Sequence, residues 1–394
     1  MTLPTTRHAD IIVIGAGVLG TFHAYHAARQ GYSVLLLERN PLPNDASTRN
    51  FGMVVQTIVE VGGAWAEFAQ VSQEIYRTLQ SEHDITVQPT GSLYVASTEI
   101  ERRVLEEFAQ LQATNYHSLY LEASEARRRY PFLQESYCQG ALYFPDDLTI
   151  DPQQMLRRLI PYLVEQGLVK YYPRTLVVGI EPGDRGCVVR DATGTVFTAE
   201  RVFLCSGTEY RTLFPEHFAN SQLQICKLQM LRTVPQPGPI IPHSLLSGLS
   251  IQRYPAFKSC PSYALLKEQE REQSLSDYGI HLLFKENADH SVTLGDSHEY
   301  TPCQEASTGE ERTNWQINEL LLAYARRMLK LPDWRIQHLW NGFYLTSTQG
   351  EIYTETLAGS IHIVTGIAGK GMSTGPGFAQ HHIKQTMTRS DVLE

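Results

Sequence analysis

Three glycines near the start of the chain have the spacing of a phosphate-binding turn. Gly15, Gly17 and Gly20 form the pattern G-x-G-x-x-G directly after the apolar residues 11–14. In such a turn the first glycine permits a tight bend, the second lets the backbone approach a pyrophosphate, and the third allows close strand–helix packing. The following helix directs free N–H groups and its positive dipole end towards the phosphates. We therefore expect dinucleotide binding here and not a fortuitous glycine turn.

An acidic residue after the next apolar run supports this interpretation. Glu38 follows residues 34–37, at the place where a carboxylate accepts hydrogen bonds from a ribose diol. The alanine-rich helix before this run ends at Gly31, and residues 10–38 have about the length of one βαβ unit. NAD and FAD both use such a unit, so this segment alone leaves both open.

A second glycine-rich turn lies near the C-terminal end of the sequence. The segment HIVTGIAGKGMSTGPGFAQ (362–380) places Gly366, Gly369 and Gly371 between a predicted strand and a predicted helix. The βαβ alternation that an NAD enzyme continues through a half-sheet is absent after residue 38. We expect the backbone N–H groups of the second turn to face the other end of an extended cofactor.

Composition and charge exclude several classes of function. The 394 residues include 33 Lys+Arg and 42 Asp+Glu, a net charge of −9, which argues against nucleic-acid or anionic-membrane partners because both require a basic surface. No apolar stretch approaches the roughly 18 residues that span a bilayer. Six scattered cysteines without a CxxC pair or a Cys/His cluster predict a cytoplasmic protein with neither disulfides nor a metal site.

The rest of the chain predicts a mixed set of helices and strands around a cofactor cleft, in about two to three domains. Asp151 is expected to cap a helix that starts at Pro152 and ends at Gly167. The other predicted elements are a loop at 41–53, helices at 62–80, 99–112 and 122–129, strands within 91–97, 174–204, 223–234 and 280–296, a helix up to Leu331, and a strand–turn–helix from Ile361 to Gln380.

Together these motifs resemble the D-amino acid oxidase, glycine oxidase and sarcosine oxidase superfamily of FAD enzymes. The resemblance rests on DIIVIGAGVLG…LLLERN, ASTRNFGM, VFLCSG and GxxGKGMSTGP, which follow one another along nearly the whole chain. The segments CKLQMLR, IQRYPAF, GDSHEY and WNGFY are similar to a bacterial clade linked to phosphonate breakdown, for which oxidative deamination of an aminoethylphosphonate-like amine has been proposed.

The resemblance implies an α/β chain, α+β overall, in which an antiparallel substrate-binding domain caps a Rossmann-like FAD-binding domain. The FAD-binding domain is expected to be discontinuous. Its predicted segments are residues 1–80, 147–222 and 333–394, and those of the substrate-binding domain are 85–146 and 223–332. FAD is expected to be non-covalent, because Gly342 stands near the place where monomeric sarcosine oxidases carry the tethering cysteine. Both a monomer and a homodimer remain open.

The resemblance also implies which residues contact FAD. Residues 47–53 are expected to follow the pyrophosphate and the flavin, the Ser206–Gly207 turn the ribose and diphosphate, and the backbone of Val177 the adenine. Residues 369–374 are expected at the pyrimidine end of the isoalloxazine. The complete predicted set is Gly15, Gly17, Val18, Leu19, Gly20, Glu38, Arg39, Ser47, Thr48, Asn50, Gly52, Met53, Val177, Ser206, Gly207, Gly366, Gly369, Lys370, Gly371, Met372, Ser373 and Thr374.

In this superfamily a hydride passes from the amine-bearing carbon to flavin N5 and the imine then hydrolyses, so the protein mainly supplies orientation and electrostatics. The predicted catalytic residues are Lys370, Tyr344 and His298. Lys370, between two glycines at a predicted helix N-terminus, is expected to stabilise the anionic reduced flavin, the alternative being a solvated loop lysine. His298 is expected to hydrogen-bond an anionic substrate group, or else to be a structural histidine in a strand.

The segment 341–344 lacks the arginine with which glycine and D-amino acid oxidases hold a substrate carboxylate. A simple α-amino acid is therefore less favoured than a small anionic amine such as an aminophosphonate. Holding an anion in a protein of net negative charge requires local cations, and a guanidinium suits a phosphonate. The candidates for holding the anion are Arg49, Lys227 and Arg253. The alternative for each is a salt bridge on the protein surface. Tyr254 and Trp340 are expected to line the space around the substrate amine, the alternative being that they belong to the hydrophobic core.

Three functions follow as hypotheses. The first is FAD-dependent oxidative deamination of an aminophosphonate, 2-aminoethylphosphonate or an N-methylated or hydroxylated form of it, with oxygen or another electron acceptor. The second is oxidation of a small secondary or D-amino acid such as sarcosine or glycine. The third, from another class, is a non-catalytic flavoprotein that carries electrons.

Overall fold

The chain folds around two large β-sheets. The structure, a computed structural model, describes residues 7–183, 186–269, 272–306 and 312–388. In chain order the strands are β1 (Arg7–Ile14), β2 (Val34–Leu37), β3 (Met53–Val54), β4 (Ser92–Ala96), β5 (Leu119–Glu122), β6 (Gly140–Phe144), β7 (Leu148–Thr149), β8 (Lys170–Tyr172), β9 (Val177–Gly183), β10 (Gly186–Asp191), β11 (Val196–Leu204), β12 (Leu223–Thr233), β13 (Ser244–Leu246), β14 (Leu283–Glu286), β15 (Val292–Gly295), β16 (Glu299–Pro302), β17 (Ile336–Ser347), β18 (Tyr353–Leu357) and β19 (Ile361–Thr365).

Helices cover both sheets and connect them. In chain order they are α1 (Val18–Arg29), α2 (Ala64–Glu82), α3 (Glu99–Leu111), α4 (Ala123–Arg129), α5 (Pro152–Glu165), α6 (Pro215–Asn220), α7 (Gly248–Arg253), α8 (Tyr263–Glu268), α9 (Gln273–Asp277), α10 (Trp315–Met328) and α11 (Gly371–Thr388). Among the described residues, none of these helices combines the length and the apolar character needed to cross a membrane.

The first sheet is built around the βαβ unit that the sequence predicts. Its strand order is β18-β19-β11-β1-β2-β8, with β19, β11, β1, β2 and β8 parallel, and the β9–β10 hairpin adds to β11. Ile11 and Val13 pack in one core with helices α1 and α11, whereas Ile12 and Ile14 pack in another. Burial on both faces explains the continuous apolar run of β1, as expected for a parallel strand.

The second sheet is almost entirely antiparallel. Its strand order is β16-β12-β15-β14-β13-β4-β6-β5, with β17 paired to β12 and with β13 and β4 parallel to each other. The predicted domain boundaries assign residues 333–394 to the FAD-binding domain, but β17 pairs with β12 from Ser347–Leu223 to Ile336–Thr233. This strand therefore lies in the second sheet, because its partner is set by register, which the apolar pattern does not show.

Local signals predict several boundaries well. Asp151 accepts hydrogen bonds from the N–H groups of Gln153 (2.9 Å) and Gln154 (3.2 Å), which confirms it as the cap of α5. Strand β11 begins at Val196, and its first half pairs with the hairpin strand β10. The predicted strand region 280–296 contains two strands, β14 and β15, that pair with each other.

Candidate functional site

The first glycine-rich turn connects β1 to α1, and two of its glycines are required by the backbone itself. Gly15 has a φ of +95°, and a Cβ there would lie 2.3 Å from the carbonyl oxygen of Cys205. A Cβ on Gly20 would lie 1.8 Å from the carbonyl oxygen of Gly15. The first and third glycines therefore have the steric reasons that the motif predicts.

The second glycine has no such packing reason. Gly17 has an ordinary φ of −66° and precedes α1, and a Cβ there would meet only Ser47 Oγ, at 3.1 Å. The N–H group of Val18 donates to the same oxygen at 3.0 Å. Gly17 and Ser47 both line a cavity, so the bare backbone of this glycine faces open space beside a hydroxyl.

The carboxylate of Glu38 fixes the end of β2 against this turn. Its two oxygens accept hydrogen bonds from the N–H groups of Ala16 (3.0 Å) and Asn40 (2.9 Å). Glu38 is buried, and each carboxylate oxygen keeps a further lone pair for a hydroxyl donor. The next residue, Arg39, is held by ion pairs to Asp45 and Glu209, at 2.7 and 3.0 Å.

One cavity of about 350 Å³ lies where the two sheets meet. Its walls come from the start of α1, the loop at 46–53, the turn that leads into α11, and the second sheet. The predicted site residues that line it are Gly17, Val18, Leu19, Ser47, Arg49, Asn50, Gly52, Met53, Gly207, Arg253, Tyr254, His298, Tyr344, Gly366, Gly369, Lys370, Gly371 and Met372.

The other predicted residues lie outside the cavity lining, and they are Gly15, Gly20, Glu38, Arg39, Thr48, Val177, Ser206, Lys227, Trp340, Ser373 and Thr374. Some of them support its walls: Ser373 Oγ accepts a hydrogen bond from the N–H of Val55 at 3.0 Å. Lys227 instead donates to the carbonyl oxygen of Arg312 at 2.7 Å, and Trp340 donates to that of Arg49 at 3.2 Å. The structure thus does not bring Lys227 into the cavity.

Lys370 is a buried, paired residue and not a solvated loop lysine. It ends a short 3₁₀ turn directly before α11, and its Nζ lies 2.6 Å from Glu351 Oε2. The same atom lies 5.3 Å from the centroid of the Trp65 ring. A carboxylate and an aromatic face therefore hold the ammonium group at the cavity wall.

Helix α7 supplies a second cationic group to the cavity wall. Arg253, the last residue of α7, donates to Tyr300 Oη at 3.1 Å. Burial alone would lower the pKa of Arg253, but Tyr300, Tyr344 and Asp296 outweigh it and raise that pKa, so the guanidinium stays charged. Burial also raises the pKa of Tyr344 well above its usual value, which keeps its phenol protonated.

His298 lies in a loop after β15 and is part of a cluster that the sequence analysis missed. Its Nε2 lies 3.9 Å from Asp296 Oδ2, and His281 Nε2 lies 3.2 Å from Asp296 Oδ1. Burial raises the pKa of Asp296 to about 7, although Arg253 opposes the shift, and burial lowers the pKa of His298 well below its usual value. The D-x-H spacing of residues 296 and 298 was the one available signal, since alternate residues of an extended segment share a face.

The sequence profile described as "DAO: FAD dependent oxidoreductase" matches residues 10–384. The chain belongs to this family. FAD is therefore its dinucleotide cofactor, which confirms the expectation that the resemblance implied.

Individual relatives of this FAD-dependent oxidoreductase match over part of their length. Glycine oxidase of Bacillus licheniformis is 28% identical over 219 residues, which cover 53% of this chain and 57% of that protein. Mitochondrial sarcosine dehydrogenase of Homo sapiens is 33% identical over 161 residues, 38% of this chain and 16% of that protein. The alignments thus span about half of the first relative and a small part of the second.

Solved structures share the fold over nearly the whole chain. The crystal structure of glycine oxidase from Geobacillus kaustophilus has a TM-score of 0.76 at 18% identity, and the match covers 98% of this chain and 95% of that one. L-proline dehydrogenase from P. horikoshii has a TM-score of 0.77 at 16% identity, with 97% and 94% covered. These matches confirm the predicted mixed α/β fold.

The cavity fits FAD on steric grounds. Three glycines that line it have no packing reason to be glycine, although the φ of +62° at Gly207 favours glycine on conformational grounds: a Cβ would meet nothing within 4 Å at Gly207, only Tyr344 at 3.6 Å or more at Gly369, and only the Ser47 hydroxyl at Gly17. They come from three separate segments, so bare backbone faces the cavity on several sides. Such a cradle suits the close approach of a diphosphate and a flat ring.

Proposed function

We propose that this flavoprotein oxidises a small amine that carries an anionic group, with a phosphonate as the favoured anion. The observation that carries the proposal is the position of Arg253, whose charged guanidinium lines the same cavity as the glycine-rich turns. When bound, FAD accepts the hydride from the amine-bearing carbon. The protein's part is to bind and orient the amine, to exclude water and to stabilise charge.

The charges around the cavity support an anionic substrate. Lys370 is paired with Glu351, whereas Arg49 and Arg253 have no ion pair within 4 Å among the described residues, although the charge of Asp296 acts on Arg253 from farther away. Arg49 donates to the carbonyl oxygens of Asn44 and Asn341, at 2.9 and 3.5 Å, and Arg253 donates to a tyrosine hydroxyl. In a chain of net charge −9 these two guanidiniums offer a favourable place for an anion.

A phosphonate is favoured over a carboxylate because of what occupies β17. Residue 344, in the segment where glycine and D-amino acid oxidases carry an arginine, is a tyrosine whose ring lines the cavity. The phenols of Tyr300 and Tyr344 are protonated donors that can complement Arg253 at the extra oxygen of a phosphonate. The resemblance of CKLQMLR, IQRYPAF, GDSHEY and WNGFY to the phosphonate-associated clade points the same way.

We also propose that FAD is held without a covalent bond. A Cβ at Gly342 would lie 2.8 Å from Leu228 Cδ1 and 3.2 Å from the carbonyl oxygen of Arg49, so a tethering cysteine has little room there. Cys205 lines the cavity, and burial raises the pKa of its thiol far above neutrality. The thiolate needed to attack a flavin is therefore disfavoured.

Oxidation of glycine or sarcosine is the second candidate function, supported by the relatives named above, which are a glycine oxidase and a sarcosine dehydrogenase. Steady-state assays separate the two. We expect kcat/KM for 2-aminoethylphosphonate or its N-methyl form to exceed that for glycine, sarcosine and D-alanine by about 10-fold or more. This factor corresponds to the loss of one charge-assisted hydrogen bond. A preference for the amino acids would replace the first candidate by the second. No flavin reduction by any amine would favour an electron-carrying role.

A further inference from the structure

His281, Asp296 and His298 form a cluster in the part of the cavity wall that lies next to the second sheet. We assign this cluster no role in binding FAD. The ligand atoms of the three side chains lie within 4.8 Å of one another, and each residue is less than a tenth exposed. We propose that these three residues bind one divalent transition-metal ion, for which Zn²⁺ is the best chemical match.

The second nitrogen of each histidine ring has an outer contact of the kind that orients metal ligands. His298 Nδ1 lies 3.1 Å from the carbonyl oxygen of Gly279, and His281 Nδ1 lies 3.2 Å from Ser250 Oγ. A carbonyl oxygen only accepts, so Nδ1 of His298 carries a hydrogen, and Nε2, which faces Asp296, is the atom left to bind a metal. Metal-binding histidines typically have such a partner on the other nitrogen.

Each oxygen of the Asp296 carboxylate faces a ring nitrogen of one of the two histidines. The Oδ1 atom of Asp296 is buried and lies 3.2 Å from His281 Nε2, in a contact that lacks hydrogen-bond geometry. Its Oδ2 lies 3.9 Å from His298 Nε2, too far for a direct hydrogen bond. Buried carboxylate oxygens are almost always partnered, so this position calls for an electrophile.

The backbone holds the three residues in the arrangement of a preformed site. His281 and Asp296 exchange two backbone hydrogen bonds, of 3.2 and 3.0 Å, and the N–H of His298 donates to Tyr278 at 2.8 Å. Ligand atoms about 2.0–2.2 Å from a tetrahedral zinc ion lie about 3.3 Å from each other. The observed separations of 3.2 and 3.9 Å therefore require only small side-chain adjustments.

Two histidines and one carboxylate leave a position open, which is the ligand count of a reactive and not a purely structural zinc site. Because all three side chains line the cavity, that position faces the space where we place the substrate. The positive charge of Arg253 repels a metal ion at this position, whereas the negative charge of Asp296 attracts it. An anion bound between Arg253 and the metal would interact favourably with both positive charges. The metal site itself does not depend on the identity of the substrate.

The expectation of no metal site was based on the lack of any local Cys/His cluster. The structure changes the premise, because the fold pairs residues 278–281 with residues 296–298 and so joins ligands that are distant in sequence. We therefore replace that expectation by the site described here.

Metal content of the FAD-loaded protein tests the proposal without any substrate. The protein is dialysed against a chelator, equilibrated with Zn²⁺, passed through a desalting column and analysed for zinc and FAD. We expect roughly one zinc per chain for the wild type and for His338→Gln, an exposed control, and less than about 0.1 for Asp296→Asn and His298→Gln. Competition with a chromophoric chelator should show about 10-fold weaker zinc binding by Ser250→Ala, which loses only an outer contact.

Less than about 0.1 zinc per folded wild-type chain would overturn the site, as would equal retention of zinc by Asp296→Asn. FAD content and circular dichroism establish that each variant is folded. If the ligand variants do not fold, wild-type stoichiometry and the Ser250→Ala affinity still decide. If the wild type binds no zinc but oxidises amines, only the proposed metal site is overturned. If it binds zinc but oxidises no amine, only the proposed function is overturned.

Discussion

The ammonium group of Lys370 lies 2.6 Å from the carboxylate of Glu351, directly before the first residue of α11. The Trp65 ring also contacts this ammonium group. The lysine is thereby held beside the glycine-rich turn that faces the isoalloxazine in our account. Replacing Lys370 by Met should slow reduction of the flavin by amine about 10-fold, or about 1.4 kcal/mol of lost charge stabilisation, with nearly normal FAD content. Stopped-flow measurement of flavin absorbance checks this.

Glu351→Gln is the matched control, because it removes the partner and keeps the cation. This variant should reduce its flavin at least as fast as the wild type, since the lysine charge is then less compensated. Equal reduction rates in Lys370→Met and the wild type would assign the stabilisation to the N-terminus of α11 alone.

Gly17→Val should yield protein with little or no bound FAD. A Cβ at this position already lies 3.1 Å from Ser47 Oγ, and the two valine methyl groups extend into the space that the diphosphate requires. Absorbance at the flavin bands relative to protein measures the loss. Gly179→Val is the control, because a Cβ there meets nothing within 4 Å and Gly179 lies in a β-strand. A yellow Gly17→Val protein would contradict the assigned diphosphate position.

Wild-type protein should also release its flavin on acid precipitation. The expected supernatant contains FAD, identified by chromatography against FMN and NAD standards. Flavin that remains with the pellet would contradict non-covalent binding, and a different nucleotide would contradict the cofactor assignment.

Buried histidines between α1, β19 and α11 should make the fold sensitive to acid. Burial lowers the pKa of His26, His362 and His382 to about 4, and His23 Nε2 lies 3.0 Å from His382 Nδ1. Between about pH 6.5 and 4 the unfolded chain therefore binds more protons than the folded one, so the free energy of unfolding falls as the pH is lowered through this range.

His362→Gln should reduce this dependence by up to about 1.4 kcal/mol per pH unit, the contribution of one proton. Urea unfolding of the FAD-saturated protein at several pH values measures it, with the exposed His338→Gln as control. An unchanged slope in His362→Gln would show that this histidine binds protons equally in the folded and the unfolded state.

The parts of the site that the sequence predicts are those that local geometry determines. Gly15 and Gly20 are required by a positive φ and by contacts within one βαβ unit, and Asp151 caps its own helix. Such features depend on neighbouring residues, so their residue types reveal them.

The parts that the sequence does not predict depend on contacts between distant segments. The ion pair of Lys370 with Glu351 and the approach of His281 to Asp296 arise only when loops from different elements meet. The assignment of β17 likewise depends on its register with β12, more than a hundred residues away. An apolar pattern contains no information about such partners.

The most direct test of the account measures how Arg253 contributes to amine oxidation. Wild type and Arg253→Lys are mixed anaerobically with 2-aminoethylphosphonate or with an uncharged amine of similar size, and bleaching of the flavin is followed. A lysine cannot reproduce two parallel hydrogen bonds to a phosphonate, so kcat/KM for the phosphonate should fall about 10- to 100-fold, equivalent to roughly 1.5–3 kcal/mol. The uncharged amine should be affected far less. Equal losses for both amines would contradict the account, because Arg253 would then support the fold and not the substrate's anionic group.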